Sequence, residues 1–160
     1  MSTPNSDQTA SELPHVTVAA VVPRGDRFLM VRERSAGLEV INQPAGHLEN
    51  DETLLEAVVR ETLEETRWRV EPVAVLGLYH YFSTSNHITY VRVCFLAEPV
   101  EEISNATLDP DIIEPLWLTS EDIRQYSGKL RSPIVAAAVD DYQRGIRYPL
   151  SLICEPWCYD

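Results

Sequence analysis

Residues 46–65 read GHLENDETLLEAVVRETLEE, and their glutamates have a spacing that a helix would bring together. Glu61 lies three residues before Glu64 and four before Glu65, so in a helix the Cβ atoms of these pairs are about 5–6 Å apart. Magnesium prefers oxygen ligands, and it often completes its coordination with waters and substrate phosphates. Gly46, in the preceding loop, can adopt a positive φ and so direct its carbonyl at the same cation. The stretch therefore predicts a helix that holds a divalent cation.

The same stretch carries further helix signals. We expect Asn50 or Asp51 to cap the N-terminus of the helix, and Glu56 to pair with Arg60 one turn later. The face predicted to pack on the core consists of Leu54, Leu55, Val58, Val59 and Leu63.

A solvated, glutamate-rich surface helix is the alternative interpretation. It explains any single glutamate here, but several carboxylates on neighbouring turns repel one another. A bound cation removes that repulsion, so the cation-binding interpretation is favoured.

The composition limits the classes of function. The chain has 160 residues, which is the size of one domain, and a net charge of −12, which argues against nucleic acid and anionic membranes as partners. No apolar run is long enough to span a membrane. The three cysteines form no disulfide framework, so we expect a cytoplasmic protein. We expect residues 1–13 to be disordered, 14–150 to form the domain and 151–160 to be a tail. The oligomeric state stays open.

Strand and helix patterns interleave along the chain, and this favours an α/β/α sandwich with a mixed sheet. The first two strands are predicted to form a hairpin through the turn at 24–26. Two later helices are predicted, one capped at Thr119 or Ser120 and one beginning at Ser132-Pro133 and ending at Gly145. The predicted strands are His15–Pro23, Phe28–Glu33, Glu39–Gln43, Val70–Phe82, Ile88–Ala97 and Pro115–Leu118.

The pattern G-x5-E-x7-R-E-x-x-E-E in residues 46–65 resembles the signature of the Nudix hydrolase family. The resemblance implies the Nudix α/β/α fold, a metal-dependent phosphoric anhydride hydrolase, and Mg²⁺ as cofactor, with Mn²⁺ as an alternative. It implies metal contacts from Glu61, Glu64, Glu65 and the Gly46 carbonyl. It also implies that Arg60 orients Glu61 and pairs with Glu52.

Three positions depart from the family pattern. Thr62 stands where an aliphatic residue is usual, Arg67 where glycine is usual, and Ile41 where the most similar subgroup has tryptophan. Because a left-handed conformation costs about 1–2 kcal/mol for a residue with a Cβ atom, we expect the helix to end without such a conformation at Arg67.

Segments outside the signature resemble one subgroup of phosphatases within the family. The resemblance implies removal of the terminal phosphate from nucleoside tri- and diphosphates, from thiamine pyrophosphate and from hydroxymethylpyrimidine pyrophosphate. The alternative is a pyrophosphohydrolase that cuts internally and releases pyrophosphate or a nucleoside monophosphate. A non-enzymatic nucleotide-binding module is a third interpretation. The segments are residues 14–19, 42–49, 130–133, 142–145 and 147–150.

Other site residues are predicted from their positions in the predicted elements. Glu61 is the first candidate to accept a proton from water. The resemblance implies that the base can instead lie outside the signature, on a loop before a strand, and there Asp111 and Glu114 are the candidates, with solvated loop acids as the alternative. Arg92, in mid-strand, needs either a protein carboxylate or a substrate phosphate. The predicted substrate contacts, for a small phosphorylated molecule, are Arg92, Tyr81, Arg32 and His47.

Overall fold

A computed structural model describes residues 13–155. Most of the segment expected to be disordered, 1–13, therefore lies outside the described residues, as does Cys158. The strands are β1 His15–Val21, β2 Pro23–Arg24, β3 Arg27–Ser35, β4 Leu38–Asn42, β5 Ala45–His47, β6 Trp68–Phe82, β7 Thr89–Glu102 and β8 Ile112–Thr119. The helices are α1 Leu54–Thr66, α2 Ser120–Gln125 and α3 Pro133–Gln143, with short 3₁₀ turns at Ser127–Lys129 and Leu150–Leu152. Within this range, no helix is long and apolar enough to cross a membrane.

The strands form two sheets that meet around β1 and β3. The first has the order β5-β1-β7-β6 and is mixed, because β1 runs parallel to β7 and antiparallel to β5. The second is antiparallel, with β3 paired to β2, β4 and β8. The prediction that the first two strands pair as a hairpin is wrong for most of their length. β1 stays in the first sheet, and only the two-residue β2 turns back on β3.

Alternate residues of the segment formed by β1 and Val22, which follows it directly, point into two separate cores. Val18, Ala20 and Val22 belong to the cluster beneath α1. Ala19 and Val21 belong to the cluster beneath α2 and α3. A strand buried on both faces reads as a continuous apolar run, which is why His15–Pro23 has no polar alternation. The expected α/β/α sandwich is confirmed.

The first helix begins and ends differently from the prediction. Thr53, not Asn50 or Asp51, is the N-cap, and it forms a capping box with Glu56. The Glu56 carboxylate accepts from the Thr53 amide, so the expected Glu56–Arg60 pair does not form. At the other end Arg67 has φ 65° and ψ 6°, so the expectation that the helix avoids a left-handed end is wrong. The Arg67 amide donates to Leu63 O, and its Nε donates to Ala106 O at 2.7 Å.

The most buried stripe of α1 is partly polar, which corrects the predicted apolar face. Leu54, Leu55 and Val59 only border the core, and Leu63 is half-buried outside it. Threonines can enter the stripe because their hydroxyls bond within the helix: Thr62 Oγ1 donates to Val58 O at 2.7 Å, and Thr66 Oγ1 bonds Thr62 O in the same way. The buried stripe consists of Ala57, Val58, Glu61, Thr62, Glu65 and Thr66.

The two later helices follow the sequence signals. Thr119 caps α2 through a capping box with Asp122, and Pro133 opens α3 directly after Ser132. Gly145 has φ +78°, as expected just beyond the end of a helix.

Candidate functional site

Arg60 is the centre of an ion-pair network on α1. Its Nε and Nη2 donate to the two carboxylate oxygens of Glu52 at 2.8 and 2.6 Å. Its Nη1 donates to Glu61 at 2.8 Å and to Glu64 at 3.2 Å. The hydrogen bonds from Arg60 lower the pKa of Glu52, and Glu52 in turn raises the pKa of Arg60 above its usual range. The structure therefore places Arg60 between Glu52 and Glu61, where the resemblance put it.

The Glu61 carboxylate lies directly against the backbone of Gly46. A Cβ atom built on Gly46 would be 2.1 Å from Glu61 Cδ, far inside van der Waals contact. Gly46 belongs to β5 and is not among the glycines with positive φ, so the expected reason for this glycine is wrong. It is required because the carboxylate approaches too closely for any side chain.

An aspartate that the sequence reasoning missed completes the acidic cluster. One carboxylate oxygen each from Glu61, Glu64 and Asp109 lie within 4.8 Å of one another. Asp109 comes from the loop between β7 and β8, and its amide donates to Glu64 O at the end of α1 at 2.9 Å. Nothing in the local sequence distinguishes Asp109 from its acidic neighbours, because its position depends on the loop returning to α1.

The two acids predicted as outside bases take other positions. Asp111 has an exposed side chain, and its carbonyl accepts from the Arg34 amide at 2.9 Å. Glu114 lies on β8 and forms an ion pair with Arg32, a predicted substrate contact. Neither acid belongs to the cluster of Glu61, Glu64 and Asp109.

Glu65 is the most deeply buried acid of α1. Its Oε1 accepts from the Ala45 amide at 3.0 Å, whereas its Oε2 is buried without a hydrogen-bond partner. Burial, followed by the charge of Glu33, raises the pKa of Glu65 to about 9. Burial also raises the pKa of Glu61. A buried carboxylate with an unused oxygen is suited to a cation, because metal binding favours the ionised form. The donor set therefore fits a hard divalent ion.

A cavity of about 320 Å³ contains two of the predicted substrate contacts, Arg92 and Tyr81. Arg92 Nε donates to Thr17 Oγ1 at 3.2 Å, but its Nη1 is buried without a partner. Among residues 13–155 the guanidinium of Arg92 forms no ion pair, so the protein carboxylate considered as its partner is not supplied there. The cavity wall also includes Tyr90, Asn86, Arg131 and Ser132.

Glu33 interacts both with a residue of the cavity wall and with Glu65 of α1. Its Oε1 accepts from Asn42 at 3.1 Å and from Arg131, a cavity residue, at 3.2 Å. The charge of Glu33 also acts on Glu65 and on Arg92.

A larger cavity, of about 580 Å³, lies between β6 and the segment at 146–153. Its lining is apolar except for Asp141, which accepts from Tyr79 Oη at 2.7 Å, so it lacks the groups for phosphate chemistry.

His47 has a different position from the other predicted contacts. Its carbonyl accepts from Arg60 Nη2 at 3.2 Å, and its imidazole Nε2 lies 2.9 Å from Nδ1 of His15. Burial, followed by the neighbouring His15, lowers the pKa of His47. The structure thus brings Arg92 and Tyr81 together in the cavity, and leaves Arg32 and His47 outside it.

Comparison with known proteins agrees with this geometry. The model of the NUDIX domain matches residues 13–138. The chain is similar to phosphatase NudJ of Escherichia coli strain K12, with 42% identity over 140 residues that cover 88% of this chain and 90% of the relative. It is also similar to the structure of a NUDIX hydrolase from Nitrosomonas europaea, with 38% identity, a TM-score of 0.86, and coverage of 89% of this chain and 97% of the other. A MutT NUDIX hydrolase from Burkholderia pseudomallei, at 22% identity and a TM-score of 0.69 over 81% of this chain and 98% of that one, shares the fold.

Proposed function

Because the chain belongs to the Nudix hydrolase family, we propose that it is a Mg²⁺-dependent phosphohydrolase that removes the terminal phosphate from small organic di- and triphosphates. The observation that carries the proposal is the cluster of carboxylate oxygens from Glu61, Glu64 and Asp109. Three hard oxygen ligands at one point are what Mg²⁺ or Mn²⁺ prefers.

The residues that would hold the cation are those of the cluster, together with Glu65 and the Gly46 carbonyl. A bound Mg²⁺ would supply charge neutralisation at the phosphate oxygens and would lower the pKa of an attacking water. Arg60 holds Glu61 through one hydrogen bond and Glu52 through two, and this fixes the direction of the Glu61 carboxylate before substrate arrives.

The proton of the attacking water needs a carboxylate at the cluster. Glu61 remains our first choice to accept it, and Asp109 is the second candidate because it is the non-helical acid that faces the same point. Asp111 and Glu114 become weaker candidates, since one is exposed and the other is paired with Arg32. A general base must lie within hydrogen-bond reach of the proton that it removes.

The substrates that we propose are nucleoside tri- and diphosphates, thiamine pyrophosphate and hydroxymethylpyrimidine pyrophosphate. The similarity to a protein named phosphatase supports terminal cleavage. Tyr81 and Tyr90 line the cavity, and aromatic residues are suited to packing against a flat ring. The alternative is an internal cut that releases pyrophosphate or a nucleoside monophosphate.

The products of hydrolysis distinguish these possibilities. We would incubate the protein with Mg²⁺ and either thiamine pyrophosphate or a nucleoside triphosphate, and follow the products by ³¹P NMR. Orthophosphate as the first product supports the proposal. Pyrophosphate from the triphosphate would establish the alternative, and no Mg²⁺-dependent product from any tested anhydride would overturn both.

Glu61→Gln links the reaction to the cluster. It removes a negative charge and the proton acceptor, so we expect turnover to fall about 10²–10⁴-fold. Glu102→Gln, the same change at an exposed position at the end of β7, is the matched control and should retain turnover. Equal turnover in the two variants would show that Glu61 has neither role.

A further inference from the structure

Arg92 is a buried cation that forms no ion pair with any residue from 13 to 155. Its side chain lies in the wall of the 320 Å³ cavity, and the residue is only 9% exposed. One hydrogen bond, to Thr17, satisfies Nε, while Nη1 has no partner among the described residues. Arginine stays protonated in proteins, and a buried charge requires a compensating partner. The cavity is therefore prepared for an anionic group.

The N-terminus of α3 faces the same cavity with a second unused donor. Ser132 is the N-cap of this 11-residue helix, but its hydroxyl makes no capping bond, and its buried Oγ has no hydrogen-bond partner within the described part of the chain. Helix N-termini favour anions because their amides and dipole point outward. Ser132 is thus free to donate to a group in the cavity instead of to its own helix.

Arg131 adds a second guanidinium whose backbone is held in place. Its amide donates to Ile41 O at 2.9 Å, and Leu130 bridges to Ile41, so the segment before α3 is attached to β4. Nη1 of Arg131 donates to Glu33 at 3.2 Å, and the side chain remains 40% exposed. Glu33 therefore forms an ion pair with Arg131 and none with Arg92, and the exposed part of the Arg131 guanidinium remains available to a group in the cavity.

The sheet register relates the strand that carries Arg92 to the strand beside the acids. Arg92 on β7 is in register with Thr17 on β1, and Thr17 with His47 on β5, the residue next to Gly46. Two strand spacings amount to about 9–10 Å between the backbones. Arg92 on β7 and Gly46 on β5, against which the Glu61 carboxylate lies, are therefore separated by β1 alone.

We propose that Arg92, Arg131 and Ser132 form a subsite for the phosphate that stays on the organic product, while the terminal phosphate lies at the acidic cluster. This inference rests on the proposed function and makes it more specific. The favoured substrate class is an organic diphosphate with a compact flat ring, the ring lying towards Tyr81 and Tyr90. Arg131 and Ser132 are then specificity-determining residues.

Binding in the absence of metal tests the subsite without turnover. With EDTA present, thiamine monophosphate, thiamine and orthophosphate would each be titrated into the protein by calorimetry. We expect the monophosphate to bind about tenfold or more tightly than thiamine, because only the monophosphate has charge-assisted hydrogen bonds to gain. We also expect it to bind more tightly than orthophosphate, which lacks the ring.

Variants assign that difference to the proposed residues. Arg131→Gln and Ser132→Ala should each weaken monophosphate binding without affecting thiamine, and Arg131→Lys should be intermediate. Arg69→Gln is the matched control, since Arg69 also forms a partly exposed ion pair, with Glu101 at 3.0 Å, outside the cavity. Ser132→Ala leaves the Arg131–Glu33 pair intact, so it separates phosphate binding from any structural effect of losing Arg131.

Three results would overturn the subsite. They are equal binding of thiamine and its monophosphate, monophosphate binding unchanged in both Arg131→Gln and Ser132→Ala, and an effect of these variants on orthophosphate alone.

With Mg²⁺, the same variants should raise KM for the diphosphate while kcat stays within a few-fold of the parent. If no anhydride is hydrolysed but monophosphate binding depends on Arg131, the proposed function fails and the subsite stands. If hydrolysis proceeds and that dependence is missing, only the subsite fails.

Discussion

The Glu61 carboxylate of α1 lies against Gly46 of β5, and the absence of a side chain at residue 46 makes this contact possible. The carboxylate occupies the space that a Cβ atom would take. Arg60 then holds the carboxylate from the other side at 2.8 Å. A substitution at position 46 would therefore act on the acid opposite it.

Gly46→Ala should displace Glu61 and weaken Mg²⁺ binding about 10–100-fold, the usual effect of disturbing the support of a metal ligand. The Mg²⁺-dependent rise in Tm measures this affinity, because a cation that binds only the folded state stabilises it. Gly128→Ala is the control: nothing lies within 4 Å of its added Cβ, and its φ is not positive. A Mg²⁺ titration of Gly46→Ala that matches the parent would contradict the close contact.

We expect Glu65 to contribute a pH dependence to the stability of the metal-free protein. Its pKa is about 9 in the folded protein and near 4.5 when unfolded, so between these values the folded state binds more protons. The stability of the metal-free protein should then decrease as pH rises through this window.

Glu65→Gln should raise the Tm of the metal-free protein at pH 8, by about 2–4 °C for each kcal/mol recovered. It should also reduce the rise in Tm that Mg²⁺ produces, since an amide is a poorer ligand. Calorimetric scans from pH 5 to 9 in EDTA measure the first effect. The prediction fails if the slopes of Tm against pH are the same for the variant and the parent.

At the scale of elements, the end of α1 is linked to the loop that carries Asp109. Arg67 adopts a left-handed conformation, which is unfavourable for a residue with a Cβ atom, and its Nε donates to Ala106 O in that loop. Its carbonyl also accepts from the Ile103 amide at 2.8 Å. The side chain of Arg67 thus makes a hydrogen bond to the loop that glycine could not make.

Arg67→Gly should change the free energy of unfolding by no more than about 1 kcal/mol, because relief of the left-handed conformation and loss of a hydrogen bond are of similar size and opposite sign. It should nevertheless increase amide exchange in residues 103–111 and weaken Mg²⁺ binding. Hydrogen-exchange mass spectrometry measures the loop directly. Unchanged exchange in that loop would refute the link.

At the scale of the whole molecule, the site is assembled from segments that are distant in sequence. β5 supplies Gly46, α1 supplies the glutamates, and the loop between β7 and β8 supplies Asp109. The cavity joins β7 to the start of α3. Packing of both faces of the first sheet brings these parts together.

Asp109→Asn should lower Mg²⁺ affinity and turnover by about tenfold or more, because it removes one charge from the cluster. Asp111→Asn, the same change two residues later on an exposed side chain, should leave both within a few-fold. Steady-state kinetics over a range of Mg²⁺ concentrations compares the two. If Asp111→Asn has the larger effect, Asp111, the candidate base named in the sequence analysis, is the functional acid of this loop and Asp109 is not.

The sequence by itself predicted a helix within residues 46–65 and the fold class, and the resemblance of its signature to a known family implied the family and the place of Arg60 beside Glu52 and Glu61. The helix was predictable because it depends on residues a few positions apart, whose geometry follows from the helical period. Even there, the cap at Thr53 and the left-handed end at Arg67 were missed, because each depends on competing local bonds.

Only the tertiary structure decided that Asp109 and not Asp111 faces the cluster, that β1 leaves its expected hairpin, and that Arg131 and Ser132 share a cavity with Arg92. These contacts join residues tens of positions apart. Their partners are selected by how two cores pack on one sheet, and no local spacing in the chain encodes that choice.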